Sequence, residues 1–116
     1  MSKAKGDYGE TVVLGYLQSK GHAVLAQNYK KRGGEIDIIT QHGEYIVFVE
    51  VKYRRAANMG DVALSTSHAQ SRRIINTAKA YLYEQDKWYA PCRFDIVEVY
   101  GYEQLQINHI ENAFEE

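Results

Sequence analysis

Proline and cysteine are almost missing from these 116 residues: Pro91 is the only proline and Cys92 the only cysteine. A lone thiol excludes an internal disulfide and fits a reducing compartment, so the chain reads as cytoplasmic. Long apolar runs are missing too. The strongest, Ile46 to Val49, is far too short to span a bilayer. The opening MSKAKGDYGE has no apolar stretch of the kind a signal peptide needs. No internal repeat, heptad, Cys/His zinc spacing, glycine-rich nucleotide loop or G-x-S-x-G elbow occurs, which leaves those binding and catalytic classes without support.

What is present is ordinary for one globular domain. The chain is 45% hydrophobic and 25% charged, and its length suits one modest core spanning residues 1–116. A net charge of −1 argues at first against nucleic acid, whose binders are often basic overall. The distribution reverses that impression. Up to Tyr83 there are 12 Lys/Arg against 7 Asp/Glu, and from Glu84 onward 2 against 8. The cations cluster as Lys30-Lys31-Arg32, Lys52-Tyr53-Arg54-Arg55 and Arg72-Arg73. Most charge runs are plain solvated patches, but two of these flank an acidic hairpin, the arrangement expected of a phosphate-contacting surface.

That hairpin runs from Gly34 to Lys52, with two β-branched runs around the turn-like Gln41-His42-Gly43-Glu44. Alternation along the first run puts Glu35, Asp37 and Ile39 on one face; along the second, Glu50 and Lys52 point the same way, roughly 7 Å apart. Directly opposed residues of an antiparallel pair share a face, and their numbers sum to a constant. A sum of 85 sets Asp37 opposite Phe48 and a sum of 87 sets it opposite Glu50. Either brings Asp37, Glu50 and Lys52 to one face, whereas a slip of one residue would send Asp37 to the other. Two carboxylates on adjacent strands make an oxygen-rich site that suits Mg²⁺ or Mn²⁺. A nearby lysine can orient an activated water or steady charge on a phosphate. The same spacing also fits a solvated sheet face carrying a Glu–Lys pair.

Around the hairpin, Asp7 to Lys20 reads as a helix with Val13, Leu14 and Leu17 as its stripe and Glu10 on the same side. A glutamate there also suits the positive end of the helix. His22 to Tyr29 reads as a strand, followed by a basic turn, Lys30 to Gly34, in which Arg32 is a candidate phosphate contact. Tyr53 to Ser67 lacks periodicity and reads as a loop beside the site. His68 to Glu84 reads as a second helix burying Ile74, Ile75, Ala78, Tyr81 and Leu82. Arg93 to Tyr100 and Leu105 to Ile110 read as the last two strands. Asp95 is expected to pair with Arg93 or a neighbour, and His109 to be a hydrogen-bonded structural histidine. The acidic tail from Glu111 is expected to cover an edge or to mediate self-association.

Asp37, followed after a short turn by Glu50-Val51-Lys52, resembles the PD-(D/E)XK nuclease signature. The whole chain resembles the YraN-like family of small bacterial proteins assigned to that superfamily. The matching pieces are Gly6-Asp7-Tyr8-Gly9-Glu10, Asn28-Tyr29, Gly34-Glu35-Ile36-Asp37, Val47 through Arg54, Arg93-Phe94-Asp95-Ile96-Val97 and His109 through Phe114. One departure stands out: many family members carry a lysine where this chain has Gln70. The resemblance implies an α/β fold with a restriction-endonuclease-like core, a mixed sheet flanked by helices in the order α-β-β-β-α-β-β. It implies a Mg²⁺-dependent endonuclease acting on DNA, with branched or structured DNA suggested by likeness to the resolvases. Asp37, Glu50 and the Val51 carbonyl would hold the metal, with Glu10 as a third acid by analogy with resolvase-like members. Lys52 would position the attacking water, and Arg54, Arg55, Arg72 and Arg73 would grip the nucleic-acid backbone. A symmetric double cut would call for a homodimer. Two other outcomes fit the same residues: an RNA-directed nuclease, or a non-catalytic nucleic-acid-binding or assembly module keeping a vestigial site.

Overall fold

Three apolar runs separated by tight turns fold back on one another and form the first half of a sheet. In the computed structural model, which describes residues 3–54, 67–101 and 104–116, these are β1 (Ala23–Lys31), β2 (Gly34–His42) and β3 (Tyr45–Arg54). The helix α1 (Lys3–Ser19) precedes them. After β3 come α2 (His68–Glu84), β4 (Cys92–Tyr100) and β5 (Gln106–Ile110). The order α-β-β-β-α-β-β is the expected one, and the fold is α/β with a five-stranded mixed sheet. Strands lie in sequence order, every pair antiparallel except the central β3–β4 pair, which is parallel. A parallel pair needs a long crossover, and α2 supplies it.

Two apolar clusters on opposite faces explain where the helices sit. Val13 and Leu17 of α1 pack with Ile38, Val47, Val49, Val51, Val97 and Val99. Ile74, Ile75, Ala78, Tyr81 and Leu82 of α2 pack with Ile36, Ile39, Ile46, Phe48 and Phe94. The β3 run is apolar on both faces because both are covered, as strands beside a parallel crossover usually are. The tail folds over the α2 face: the Ala113 amide donates to the Phe94 carbonyl at 2.7 Å, and Phe114 stacks on Phe94.

Several boundaries move from the sequence expectations. α1 begins four residues earlier, at Lys3, and ends one earlier, at Ser19. β1 runs on through Lys30 and Lys31, which shrinks the basic turn to Arg32-Gly33. β3 continues to Arg54, so the expected loop starts later; Arg55 and the rest of that loop to 66 lie outside the described residues. β4 starts at Cys92 and β5 at Gln106, each one residue later or earlier than read. α2 falls on the expected bounds, and Ser67 caps it by accepting from the Gln70 amide at 3.1 Å.

Strict alternation also slips, in β2. Ile36 and Ile39, three apart, both join the α2-side cluster, while Ile38 faces α1. The pairing of β2 with β3 ends at Ile38↔Val49, and from there toward Gly34 the strand is paired with β1 alone. Released from β3, this stretch turns toward α2. Gly34 approaches closely enough that a Cβ would lie 2.1 Å from Thr77 Oγ1 and 3.2 Å from the Arg73 carbonyl. Gly34→Ala is therefore expected to cost about 1–3 kcal/mol in urea unfolding. A loss below about 0.5 kcal/mol, the size of an ordinary surface change, would mean that β2 and α2 part without strain.

Candidate active site

The register decides the site. Ile38↔Val49 and Ile39↔Phe48 give the odd sum of 87, and the next pair in line is Asp37 with Glu50. Where the ladder stops, the Val51 amide donates instead to Asp37 Oδ2 at 2.8 Å. The N–H and C=O of a strand residue point to the same edge. The Val51 carbonyl therefore also faces β2, at a place where no strand carbonyl or amide is paired with it.

Both acids are largely withdrawn from water and lie close enough to perturb each other's protonation. Burial first, and then the Asp37 charge, push Glu50 up to about 8, against only partial relief from Lys52. Burial likewise raises Asp37, although the Val51 amide and Glu50 pull the other way. With no cation between them the pair holds a proton near neutrality. Lys52 Nζ lies 3.9 Å from Glu50 Oε1. Asp37 and Glu50 border a polar cleft of about 230 Å³ walled also by Gly34, Glu35, Gln70, Arg73 and Ile74.

This donor set fits a hard divalent cation. Two carboxylates and a backbone carbonyl are all oxygen, and Mg²⁺ is commonly held by one or two carboxylates, with waters and substrate oxygens completing its shell. Among the described residues no three His, Cys, Asp or Glu are gathered into a closed cage.

The other expected site residues are placed less uniformly. Glu10 does not wall the cleft; its Oε1 accepts from Asn28 Nδ2 at 3.4 Å. Asn28 lies between the pairs Gln27↔Ile38 and Tyr29↔Ile36, hence alongside Asp37 in register, but the structure does not bring Glu10 into the acidic pair. Arg73 is on the cleft wall, Arg72 is exposed on the same helix, and Arg32 is exposed in the β1–β2 turn. Arg54 is turned inward, its Nε 3.6 Å from Glu98 Oε2. Asp95 pairs with Arg93 through contacts of 2.9 and 3.0 Å, as expected. His109 is hydrogen-bonded as expected, to Asp95 at 2.7 Å and to the Tyr16 hydroxyl at 3.0 Å. Glu35 and Gln70 also wall the cleft. Parity with Asp37 flags Glu35, and position in the first turn of α2 flags Gln70.

A larger hollow of about 600 Å³ lies at the far end of α2, bordered by Tyr45, Ile75, Leu82, Trp88 and Phe94. Its cations are already matched, Lys79 with Glu116 and Arg93 with Asp95. The buried acidic pair is at the smaller cleft.

The acidic pair makes stability fall with pH. Glu50 has an ordinary value of 4.5 and a folded value of about 8. The contribution of its protonated form is full below about 4.5 and is lost as pH rises toward and through 8. The metal-free protein should lose up to about 1.4 kcal/mol per pH unit across this range. His22, held down at about 4 mainly by burial, acts with the opposite sign and only below its ordinary 6.5. Urea unfolding between pH 6.5 and 8 isolates the acids, and Glu50→Gln should flatten the slope. Equal slopes in both proteins would reject the shared proton.

Comparison with known proteins follows the same outline. Residues 9–99 match the sequence pattern described as "Uncharacterised protein family UPF0102". A UPF0102 protein of Clostridioides difficile is 44% identical over 113 residues, covering 97% of this chain and 98% of its own. One from Symbiobacterium thermophilum is 40% identical over 116 residues, covering 98% of each. One from Geobacter metallireducens is 37% identical over 115 residues, covering 98% of this chain and 94% of its own.

Proposed function

The chain belongs to the UPF0102 family, the YraN-like group, and we propose that it is a divalent-metal-dependent endonuclease that hydrolyses phosphodiester bonds of DNA. The observation that carries this is the Asp37–Glu50 pair, two carboxylates forced together on adjacent strands with Lys52 beside them. Asp37, Glu50 and the Val51 carbonyl would hold Mg²⁺ or Mn²⁺; Glu10, which accepts from Asn28 in this structure, would join them only by moving. What a bound cation supplies there is a lowered pKa for the attacking water and neutralisation of phosphate charge.

Lys52 orients that water for in-line attack and steadies the charge that builds on phosphorus oxygens. Arg73 on the cleft wall and Arg72 beside it meet the neighbouring phosphates, with Arg32 reaching them from the turn. The capped N-terminus of α2 at Gln70 adds a partial positive charge to the same wall. Branched or structured DNA is the substrate class we favour, and the cytoplasm the setting, given the single thiol at Cys92. No helix among the described residues is long and apolar enough to cross a membrane.

Calorimetry with Mg²⁺, with and without a DNA duplex, is the first test, followed by cleavage of branched, linear and single-stranded DNA. Saturable heat and a metal-dependent product are expected. No heat and no product from any substrate would replace the enzyme with a non-catalytic binding or assembly module. Lys52→Ala is expected to lower cleavage by about 10²–10³-fold with DNA affinity retained; equal loss of both would remove the role given to the lysine.

A further inference from the structure

The hollow at the far end of α2 takes no part in the reaction above. It measures about 600 Å³, within the span of about 300–1,000 Å³ usual for ligand sites. Its floor is apolar: Ile75, Ala78 and Leu82 come from α2 and Phe94 from β4. Its rim carries large aromatic rings that face water. Trp88 borders the hollow and is 69% exposed, and the adjoining Tyr89 is 71% exposed. The two rings meet edge to face with centroids 5.6 Å apart, a geometry that steadies the indole where it stands. Neither ring belongs to the two apolar clusters of the core. An exposed tryptophan beside an apolar depression is the kind of anchor that protein interfaces use.

The charge around the hollow is negative. Of the two cations that line it, Lys79 pairs with Glu116 and Arg93 with Asp95. Glu115 also lines it and is held by a neutral donor, Asn112 Nδ2, at 3.1 Å. Glu111 is exposed and lies 3.9 Å from Arg93, a guanidinium that Asp95 already engages through two bonds. Asp86 is exposed in the turn after α2, and Lys87 beside it offsets one charge. Three cations thus stand against five acids, an excess of two negative charges. Such a rim repels a phosphate backbone and attracts a cation. The rings favour the same choice. Arg93 already lies 5.9 Å from the centroid of Tyr45 on the rim, and Trp88 offers an open indole, the best of the aromatic faces for a cation.

An apolar floor under an acidic, aromatic rim suits a chain segment with lysine or arginine on either side of one large apolar residue. We propose that the hollow docks a cationic segment of a partner protein. The apolar side chain of that segment rests on Leu82 and Phe94, and its cations lie between Trp88 and Glu115. The surface is at the opposite end of α2 from the acidic cleft and does not depend on the nuclease reading.

Trp88 is the only tryptophan in the chain, so its fluorescence reports on this rim alone. Selection from a random peptide display library on the immobilised whole chain is expected to enrich sequences in which Lys or Arg flanks one large apolar residue. A tryptophan-free synthetic copy of the leading sequence should shift Trp88 emission to the blue and saturate, more weakly as salt rises. With that peptide labelled and read by anisotropy, Trp88→Ala should weaken binding about 30-fold and Glu115→Lys about 5-fold. Both side chains are exposed, so neither variant threatens folding. No enrichment, an enriched sequence that is acidic or uncharged, or an affinity unchanged in both variants overturns the proposal. Displacement of the peptide by oligodeoxythymidine overturns it as well, because the hollow would then be a nucleic-acid surface. A dimer in sedimentation that the peptide dissociates overturns it in favour of a second copy of this chain.

Discussion

Asp37→Asn is expected to abolish calorimetric Mg²⁺ binding and to lower cleavage by on the order of 10⁴-fold, while the metal-free protein becomes no less stable. The first part follows from removing one of two anionic ligands, on which several kcal/mol of transition-state charge stabilisation depend. The second follows from the crowding between the acids. Asparagine retains an oxygen for the Val51 amide, which now donates to Asp37 at 2.8 Å, and it ends the like-charge pressure that helps hold Glu50 at about 8. Near pH 8 the unfolding midpoint should rise by a few degrees, about what a gain of ~1 kcal/mol gives in a domain of this size. Wild-type Mg²⁺ binding by the variant would dismiss the acids as ligands. Lost cleavage together with a lower midpoint would make Asp37 a structural residue whose loss damages the sheet.

The largest expected loss of stability lies on the other face. Asp95 is fully buried and accepts from Arg93, from His109 and from the Asn112 amide at 3.0 Å. His109 passes the contact on to Tyr16 of α1. Burial alone would raise Asp95, but the bonds from His109 and Arg93 outweigh it and hold the carboxyl below its ordinary value. Asp95→Ala leaves the Arg93 charge, an imidazole and an amide without their acceptor, and should cost about 3–5 kcal/mol. The lower end is favoured because Glu111 stays 3.9 Å from Arg93 and the Tyr45 ring lies 5.9 Å away. Denaturant unfolding reads it directly, and a loss under about 1 kcal/mol would reduce this cluster to a set of surface-grade pairs. The sign with pH is opposite to that of the acidic cleft: Asp95 stabilises above its unfolded pKa, and that is lost as pH falls through its folded one.

Local chemistry made much of this legible beforehand. The β2–β3 hairpin could be read because a tight turn between β-branched runs leaves few registers, and only odd ones bring Asp37 and Glu50 together. The bounds of α2 were legible because Ser67 is a capping residue and Ile74, Ile75, Ala78 and Leu82 recur at helical spacing. What escaped depends on partners distant in sequence. Nothing near Arg54 announces Glu98, which the parallel pairing brings beside Lys52 from the far side of α2. Likewise Asn28 meets Glu10 only because β1 runs back along α1, and its left-handed backbone (φ 51°) is a conformation that asparagine tolerates and sequence alone does not require. The slip that turns Ile36 toward α2 comes from β2 losing β3 as a neighbour, which no periodicity within β2 reveals.

The two strands at the margins of the sheet limit how copies of this protein can meet. β1 carries a bulge between Val24 and Ala26, a left-handed Asn28, and the cations Lys30 and Lys31 at its end. β5 is only five residues long. Bulges, lysines and short length are the features that deny an incoming strand a straight row of open amides and carbonyls. A continuous ten-stranded sheet is therefore a poor route to a dimer here. If cleavage of both strands of a branched duplex requires a two-fold pair, that pair has to be assembled through helix faces and loops, with the acidic clefts turned toward a shared substrate.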